Sequence, residues 1–283
     1  MSVKRQWNGC RCRCRNREHN NYANDDDYDN EKEIEMKIQI MQPKSISWFL
    51  HLFFPKECVH CGRLLDYRNR EFLCPACLKL IVPIRHPLCD QCGRPLWGEM
   101  EYTVTCPDCR ENPPRFRRAR AAFLLTGAGK SMVLQYKYSS NPYLSNPAID
   151  RIFQAGREEY SWSDYDLIIP VPLHPRKARE RGFNQSGVLS EGLSRRTGIE
   201  LLKRGLIRTS YTKTQTRLNR KERRNNVKGA FRISDRAELS GKSILLVDDV
   251  FTTGATVNEC AGVLVRAGAE AVDVLTLARA KGR

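Results

Sequence analysis

The 283-residue chain has no apolar run long enough to cross a membrane. Its best stretch, Ile46-Ser47-Trp48-Phe49-Leu50-His51-Leu52-Phe53-Phe54, falls far short of the roughly 20 residues a spanning helix needs. That stretch also follows acidic sequence rather than the basic segment that opens a secretory signal, so no membrane insertion and a cytoplasmic protein are expected. Histidine is scarce, and its five copies show no ligand pairing, although His60 sits inside a cysteine turn. Aromatic residues are thin where nucleic acid would need them. Only Phe183, Tyr211 and Phe231 interrupt the most basic stretch, which weakens autonomous base stacking.

Acidic residues are in deficit, 32 against 48 Lys and Arg, and the imbalance is local. Between His174 and Arg236 there are 18 Lys and Arg and 5 Asp and Glu. Such density suggests a polyanionic partner, either a phosphorylated small molecule or nucleic acid. A merely solvated charged face fits less well, because Gly182, Phe183 and Asn184 break the run. Residues 1–45 differ from the rest. They carry alternating Cys and Arg from Cys10 to Cys14, then a polar run from His19 to Asn30, a composition expected to stay disordered. Translation starting at Met36 or Met41 would account for this segment equally well.

Cysteine, by contrast, is plentiful and ordered. Cys58-Val-His-Cys61-Gly62-Arg63-x-Leu65 precedes Cys74-Pro75-Ala-Cys77, and Cys89-Asp-Gln-Cys92-Gly93-Arg94-x-Leu96 precedes Cys106-Pro107-Asp-Cys109. The second unit repeats the first at offsets of 31 and 32 residues. Two CxxC turns separated by 12 or 13 residues suit one tetrahedral zinc with thiolates ~2.3 Å away. Glycine after each leading pair lets the backbone turn toward sulfur, and proline stiffens each trailing pair. Sequential ligation is favoured, Cys58, Cys61, Cys74 and Cys77 on one metal and Cys89, Cys92, Cys106 and Cys109 on the other; a cross-braced pairing is the alternative. Closed four-thiolate sites are structural, so the expectation is two structural zinc ions and no catalysis at either.

From Phe116 the pattern is α/β. Strands are expected at 121–125, 166–171, 243–247 and 271–278, with helices at 130–138, 184–197 and 254–267, the last capped by Gly268. Alternation of this kind implies a mainly parallel sheet with ligands beyond its carboxyl ends. At one such end stands Ser-Ile-Leu-Leu-Val-Asp248-Asp249-Val-Phe-Thr252-Thr253-Gly254-Ala255-Thr256-Val. The turn at 252–256 leads into a helix, so its N–H groups and hydroxyls converge on an anion such as a terminal phosphate. Paired carboxylates cannot bind phosphate as well; they suit ribose hydroxyls or magnesium with its waters. Together the two halves describe a ribose 5-phosphate.

Two other readings of these residues are weaker. Ile244 to Asp249 imitates a receiver-domain strand, but only 34 residues follow Asp249. Gly127-Ala-Gly129-Lys130-Ser131 imitates a nucleotide phosphate loop, but Leu124 stands where its first glycine belongs, which leaves ATP hydrolysis the lesser alternative.

The 243–257 motif resembles the phosphoribosyl-pyrophosphate (PRPP) signature of type I phosphoribosyltransferases. Ile169 to Gln185, with four-cysteine ribbons upstream, narrows the resemblance to the competence protein F (ComF) family. Gln215, Arg223, Asn225, Gly229 to Phe231 and Lys137-Tyr138 also match, while Leu125-Thr126-Gly127 departs slightly from the family pattern. The resemblance covers roughly Ile46 to Ala280 and implies a double zinc ribbon over 46–115 and a phosphoribosyltransferase domain over 116–283, leaving 1–45 as a disordered extension outside it.

The resemblance further implies that Asp248 and Asp249 hold the ribose hydroxyls and, through water, Mg2+. Thr252, Thr253, Gly254, Ala255 and Thr256 would cradle the 5-phosphate. Arg176, Lys177, Arg179 and Arg181 in the loop 172–181 would meet pyrophosphate, and Arg223 would reach it from a flap over 209–228. Asn184 would cap the helix after it. The implied role is DNA uptake beside a DNA-translocating helicase, with or without phosphoribosyl transfer to an acceptor recognised near 125–138. The alternative is a non-catalytic accessory protein that binds single-stranded DNA.

Overall fold

The computed structural model describes residues 55–66, 69–96, 98, 104–138, 145–210, 222, 226–234 and 237–281. The expected disordered segment over 1–45, and most of the expected flap including Arg223, lie outside the described residues. All described residues fall in one compact unit, Phe54–Arg283.

The strands are β1 (Ala119–Leu124), β2 (Leu167–Pro170), β3 (Glu200–Leu201), β4 (Leu206–Arg208), β5 (Phe231–Ile233), β6 (Ser243–Phe251) and β7 (Ala271–Arg279). Five of them form a parallel sheet in the order β1-β7-β6-β2-β3, and β4 and β5 pair antiparallel by themselves. The central strand is dry on both faces: Ile244, Leu245, Leu246 and Val247 have no exposed surface. Parallel neighbours need crossover connections, and the helices in those connections cover both faces.

The helices are α1 (Pro75–Leu78), α2 (Pro107–Glu111), α3 (Gly127–Tyr138), α4 (Asn146–Glu159), α5 (Pro175–Arg181), α6 (Gln185–Thr197) and α7 (Ala255–Arg266). The short helices α1 and α2 each open on the proline of a C-P-x-C pair, where a missing N–H costs nothing. In α4, Ala148, Ile149, Ile152 and Gly156 form the buried stripe, and Gly156 admits the Trp162 ring so closely that a Cβ there would lie inside it.

The two ribbons join opposite halves of the core. Cys58, Leu65, Phe72 and Leu73 of the first share a cluster with Phe123, Met132, Tyr136, Ile152, Leu189, Val247 and Leu275. Cys89, Cys92, Cys106 and Cys109 of the second share a cluster with Phe116, Leu206, Phe231, Leu246, Phe251 and Val257. Each repeat therefore completes the packing of a different set of helices. The second ribbon is also tied to the sheet edge: the Ala119 N–H donates to the Gln91 carbonyl at 2.6 Å, and the Arg120 guanidinium donates to the Asp90 carbonyl at 3.1 Å.

Several elements differ from the sequence expectation. The strand expected to end at Val247 continues to Phe251, because β7 runs on beside it and pairs Asp248 with Thr276 and Phe251 with Arg279. The expected loop 172–181 contains helix α5, nucleated by Pro175 and stopped by Gly182 at φ 80°. Helix α4 and the β4–β5 pair lie where no element was expected.

Candidate functional site

Asp248 and Asp249 lie side by side near the carboxyl end of β6, partly and largely buried respectively. Different elements hold them. The Ser186 hydroxyl, from the first turn of α6, donates to Asp248 Oδ1 at 2.9 Å, and the Asp249 N–H donates to the same oxygen at 2.8 Å. Lys137 Nζ, from the last turn of α3, pairs with Asp249 Oδ2 at 2.9 Å. Helices α3 and α6 are locked together beneath the pair, Tyr136 donating to the Gln185 carbonyl at 2.8 Å and Gln185 Nε2 to the Lys137 carbonyl at 3.0 Å. Burial, and then the charge of Asp249, push the Asp248 carboxyl up to about 7 against the opposing pull of Ser186, the Asp249 N–H and Lys137. A carboxylate so poised gains from a cation or from hydroxyl donors.

The turn follows at once. Gly254 is the N-cap of α7 at φ 75°, a left-handed conformation that favours glycine. A Cβ at this position would also come within 2.6 Å of the Phe251 ring. Ala255 and Thr256 begin α7, and the Ala255 N–H reaches Thr253 Oγ1 at 3.4 Å. Thr252 is exposed and Thr253 partly so. The arrangement offers backbone donors, hydroxyls and the positive end of a twelve-residue helix to an anion.

Helix α5 and strand β4 gather positive charge within electrostatic reach of one another, and Arg208 of β4 lies within reach of Asp248. Burial lowers the pKa of Lys177, and the neighbouring charges of Arg208, Arg181 and Lys137 lower it further. The pKa of His174 is lowered by burial and then by Arg208, Arg179, Lys177 and Arg176. Mutual repulsion of this kind marks cations gathered round one space, and an anion there would relieve it. Arg176, Lys177, Arg179 and Arg181 thus all belong to α5, with Arg176 pairing Glu180 at 3.3 Å and Arg181 reaching Gln185 at 3.2 Å.

Asn184 does occupy the N-cap of α6, but its side chain makes no cap bond; Nδ2 donates to the Val171 carbonyl at 3.2 Å and fixes the segment after β2. Ser186 and Arg208 were not expected as site residues, and Lys137 was noted without a role. Arg208, on β4, is felt electrostatically by Asp248 as well as by His174 and Lys177, and its guanidinium stacks 5.3 Å from the Phe231 ring. β4 and β5 flank the segment expected to form the flap, joined by the Thr209 N–H to the Ala230 carbonyl at 2.9 Å.

The eight ribbon cysteines form two sequential groups, Cys58, Cys61, Cys74 and Cys77, and Cys89, Cys92, Cys106 and Cys109, each with its sulfurs within 4.8 Å of one another. Sulfurs bound tetrahedrally at ~2.3 Å stand roughly 3.8 Å apart. The Cys61–Cys74 and Cys92–Cys106 separations are both 3.8 Å. N–H groups of Cys92 and Cys106 point at Cys89 Sγ from 3.5 and 3.3 Å, the outer-shell pattern that steadies a thiolate ligand. The donor set fits zinc. With four thiolates per site and no position for water, the sites are structural.

Comparison with known proteins identifies both domains. Residues 49–110 match the double zinc ribbon domain model, and residues 193–283 match the phosphoribosyl transferase domain model. The chain is 32% identical over 233 residues to competence protein F of Haemophilus influenzae, covering 81% of this chain and 99% of that one. It is 34% identical over 196 residues to the DNA utilization protein YhgH of Escherichia coli K12, covering 68% and 84%. Among solved structures, the allosteric regulatory enzyme of purine biosynthesis aligns over 51% of this chain and 30% of its own, at 22% identity and a TM-score of 0.36. A type I phosphoribosyltransferase fold preceded by a zinc ribbon with two four-cysteine groups is the architecture.

Proposed function

The chain belongs to the competence protein F family, and we propose that it binds PRPP at the end of β6 and acts in DNA uptake in the cytoplasm beside a DNA-translocating helicase. In this reading 46–115 is the ribbon domain, 116–283 the phosphoribosyltransferase domain and 1–45 an extension. The observation that carries it is the meeting of three features at one strand end: the Asp248–Asp249 pair, the Gly254-capped turn and the basic wall of α5 and β4. PRPP presents a diol, a 5-phosphate and a pyrophosphate in that order of chemistry.

Asp248 and Asp249 accept hydrogen bonds from the ribose hydroxyls, and Lys137 yields Asp249 to them. Thr252, Thr253, Gly254, Ala255 and Thr256 hold the 5-phosphate. Arg176, Lys177, Arg179 and Arg181 face the pyrophosphate, joined by Arg208 and, from the flap, by Arg223. Mg2+, bound through water to the carboxylates, would neutralise the pyrophosphate. If transfer occurs, the bond from C1 to the pyrophosphate oxygen breaks with its electron pair leaving on pyrophosphate. The acids fix the sugar as C1 becomes oxocarbenium-like, and the arginines offset the departing charge. No general base for an acceptor stands out among the described residues.

A second reading, single-stranded DNA binding, draws on the same basic wall. Calorimetric titration separates the two: Mg-PRPP should bind saturably and more tightly than PRPP with chelator, whereas affinity for a single-stranded oligonucleotide should fall steeply with salt. A chain that binds the oligonucleotide and ignores Mg-PRPP would favour the accessory-protein reading.

A further inference from the structure

The sequence gives no hint that Arg279, the last residue of β7, has a role, yet it is 5% exposed and joins two regions far apart in sequence. Its Nη1 donates to the Cys92 carbonyl oxygen, and its Nη2 lies 3.5 Å from Cys92 Sγ, a ligand atom of the second four-cysteine site. The same guanidinium covers the Phe251 ring with Cζ 4.5 Å from the centroid, as the β6–β7 register places the two residues opposite each other. Phe251 in turn fills the space beneath Gly254, the cap of the phosphate turn, and Phe116 packs edge-on against it at 6.1 Å. On its ribbon side the turn borders a cavity of about 450 Å3, lined by Arg94, Asp108, Thr252, Thr253 and Asn258 among others. A turn beside a cavity depends on the few groups that do support it.

We propose that Arg279 is a positioning residue that couples the second four-cysteine site to the phosphate turn: the ribbon holds the guanidinium, the guanidinium holds Phe251, and Phe251 sets the height of Gly254. The inference rests on the sugar-phosphate reading of that turn. Lysine cannot replace the arrangement, because it lacks the planar fork that reaches carbonyl and sulfur while stacking on a ring. Among the described residues the first ribbon has no equivalent bond; its side-chain links to the helices are His60 Nδ1 to Ser131 Oγ at 3.1 Å, on the helix that carries Lys137, and Glu71 to Arg151 at 3.1 Å.

The test uses ribose 5-phosphate and inorganic pyrophosphate as separate probes, titrated calorimetrically into the full chain. Arg279→Met should weaken ribose 5-phosphate binding about tenfold while pyrophosphate affinity and two zincs per chain are retained, with Arg279→Lys closer to Met than to wild type. Unchanged ribose 5-phosphate binding, or equal loss of both ligands, would overturn the coupling. Should the Met variant fail to fold, the wild-type protein carries the test. With cobalt in place of zinc, ribose 5-phosphate should shift the thiolate-to-cobalt absorption and pyrophosphate should not, since coupling runs both ways. No shift on binding overturns the inference. A wild-type chain that binds no ribose 5-phosphate at all removes the sugar-phosphate reading first, and this inference with it.

Discussion

The two ribbons are near copies in sequence and unlike in setting. The first keeps Cys61 exposed and packs on the side of the core built from α3, α4 and α6, two of which, α3 and α6, lie beneath the carboxylate pair. The second has all four cysteines buried and packs with α7, β4 and β5, on the side of the turn at 252–256. A duplicated metal module thus packs into two different halves of the core, one on the side of the acids and one on the side of the turn. Spacing alone conveys the duplication; the division of labour arises from what each copy touches.

The sharpest way to break the comparison is to remove one ligand from each ribbon. Cys89→Ser should cost ~3 kcal/mol or more and release one zinc, because a buried thiolate site loses both its metal and its fit. Cys61→Ser should cost less, as water reaches that position. Urea denaturation with metal analysis measures both, and equal losses would deny the difference in setting.

A smaller effect should follow at the turn. Gly254→Ala places a Cβ in the left-handed region and against the Phe251 ring, and should cost about 1–2 kcal/mol before the ring shifts. Affinity for ribose 5-phosphate should drop at least as much as stability does, with pyrophosphate binding spared. A loss confined to stability would show that the turn does not grip the sugar phosphate.

A pH-dependent effect belongs to the carboxylate side. The Asp248 carboxyl is pushed up to about 7, so between about 4 and about 7 the unfolded chain releases a proton that the folded chain keeps. Stability should therefore fall as pH rises through that window and level off above it. In Asp248→Asn this component of the slope should vanish, as measured by urea midpoints from pH 5 to 8. An unchanged slope would mean that Asp248 titrates normally.

The legible parts of this molecule were those fixed by local chemistry. The ribbons follow from ligand spacing, and the central strands from apolar runs such as Ile244 to Val247. Helix α5 escaped because Pro-Arg-Lys-Ala-Arg-Glu-Arg has no buried residue and so no stripe to detect. β4 and β5, three residues each, are too short for a period of two to register. Charged residues made β6 look finished at Val247, whereas pairing with β7 carries it on to Phe251. In the site, the acids and the turn were visible as a contiguous motif. Ser186, Arg208 and Arg279 were not, since each matters through a partner at least 40 residues away in sequence.

Whether the acids at the end of β6 receive a sugar is decided most directly by calorimetric titration of Mg-PRPP into wild type and into the Asp248→Asn/Asp249→Asn double variant, at equal zinc content and pH. Saturable heat from wild type and none from the folded double variant is the expected result; the same affinity in both would contradict the assignment.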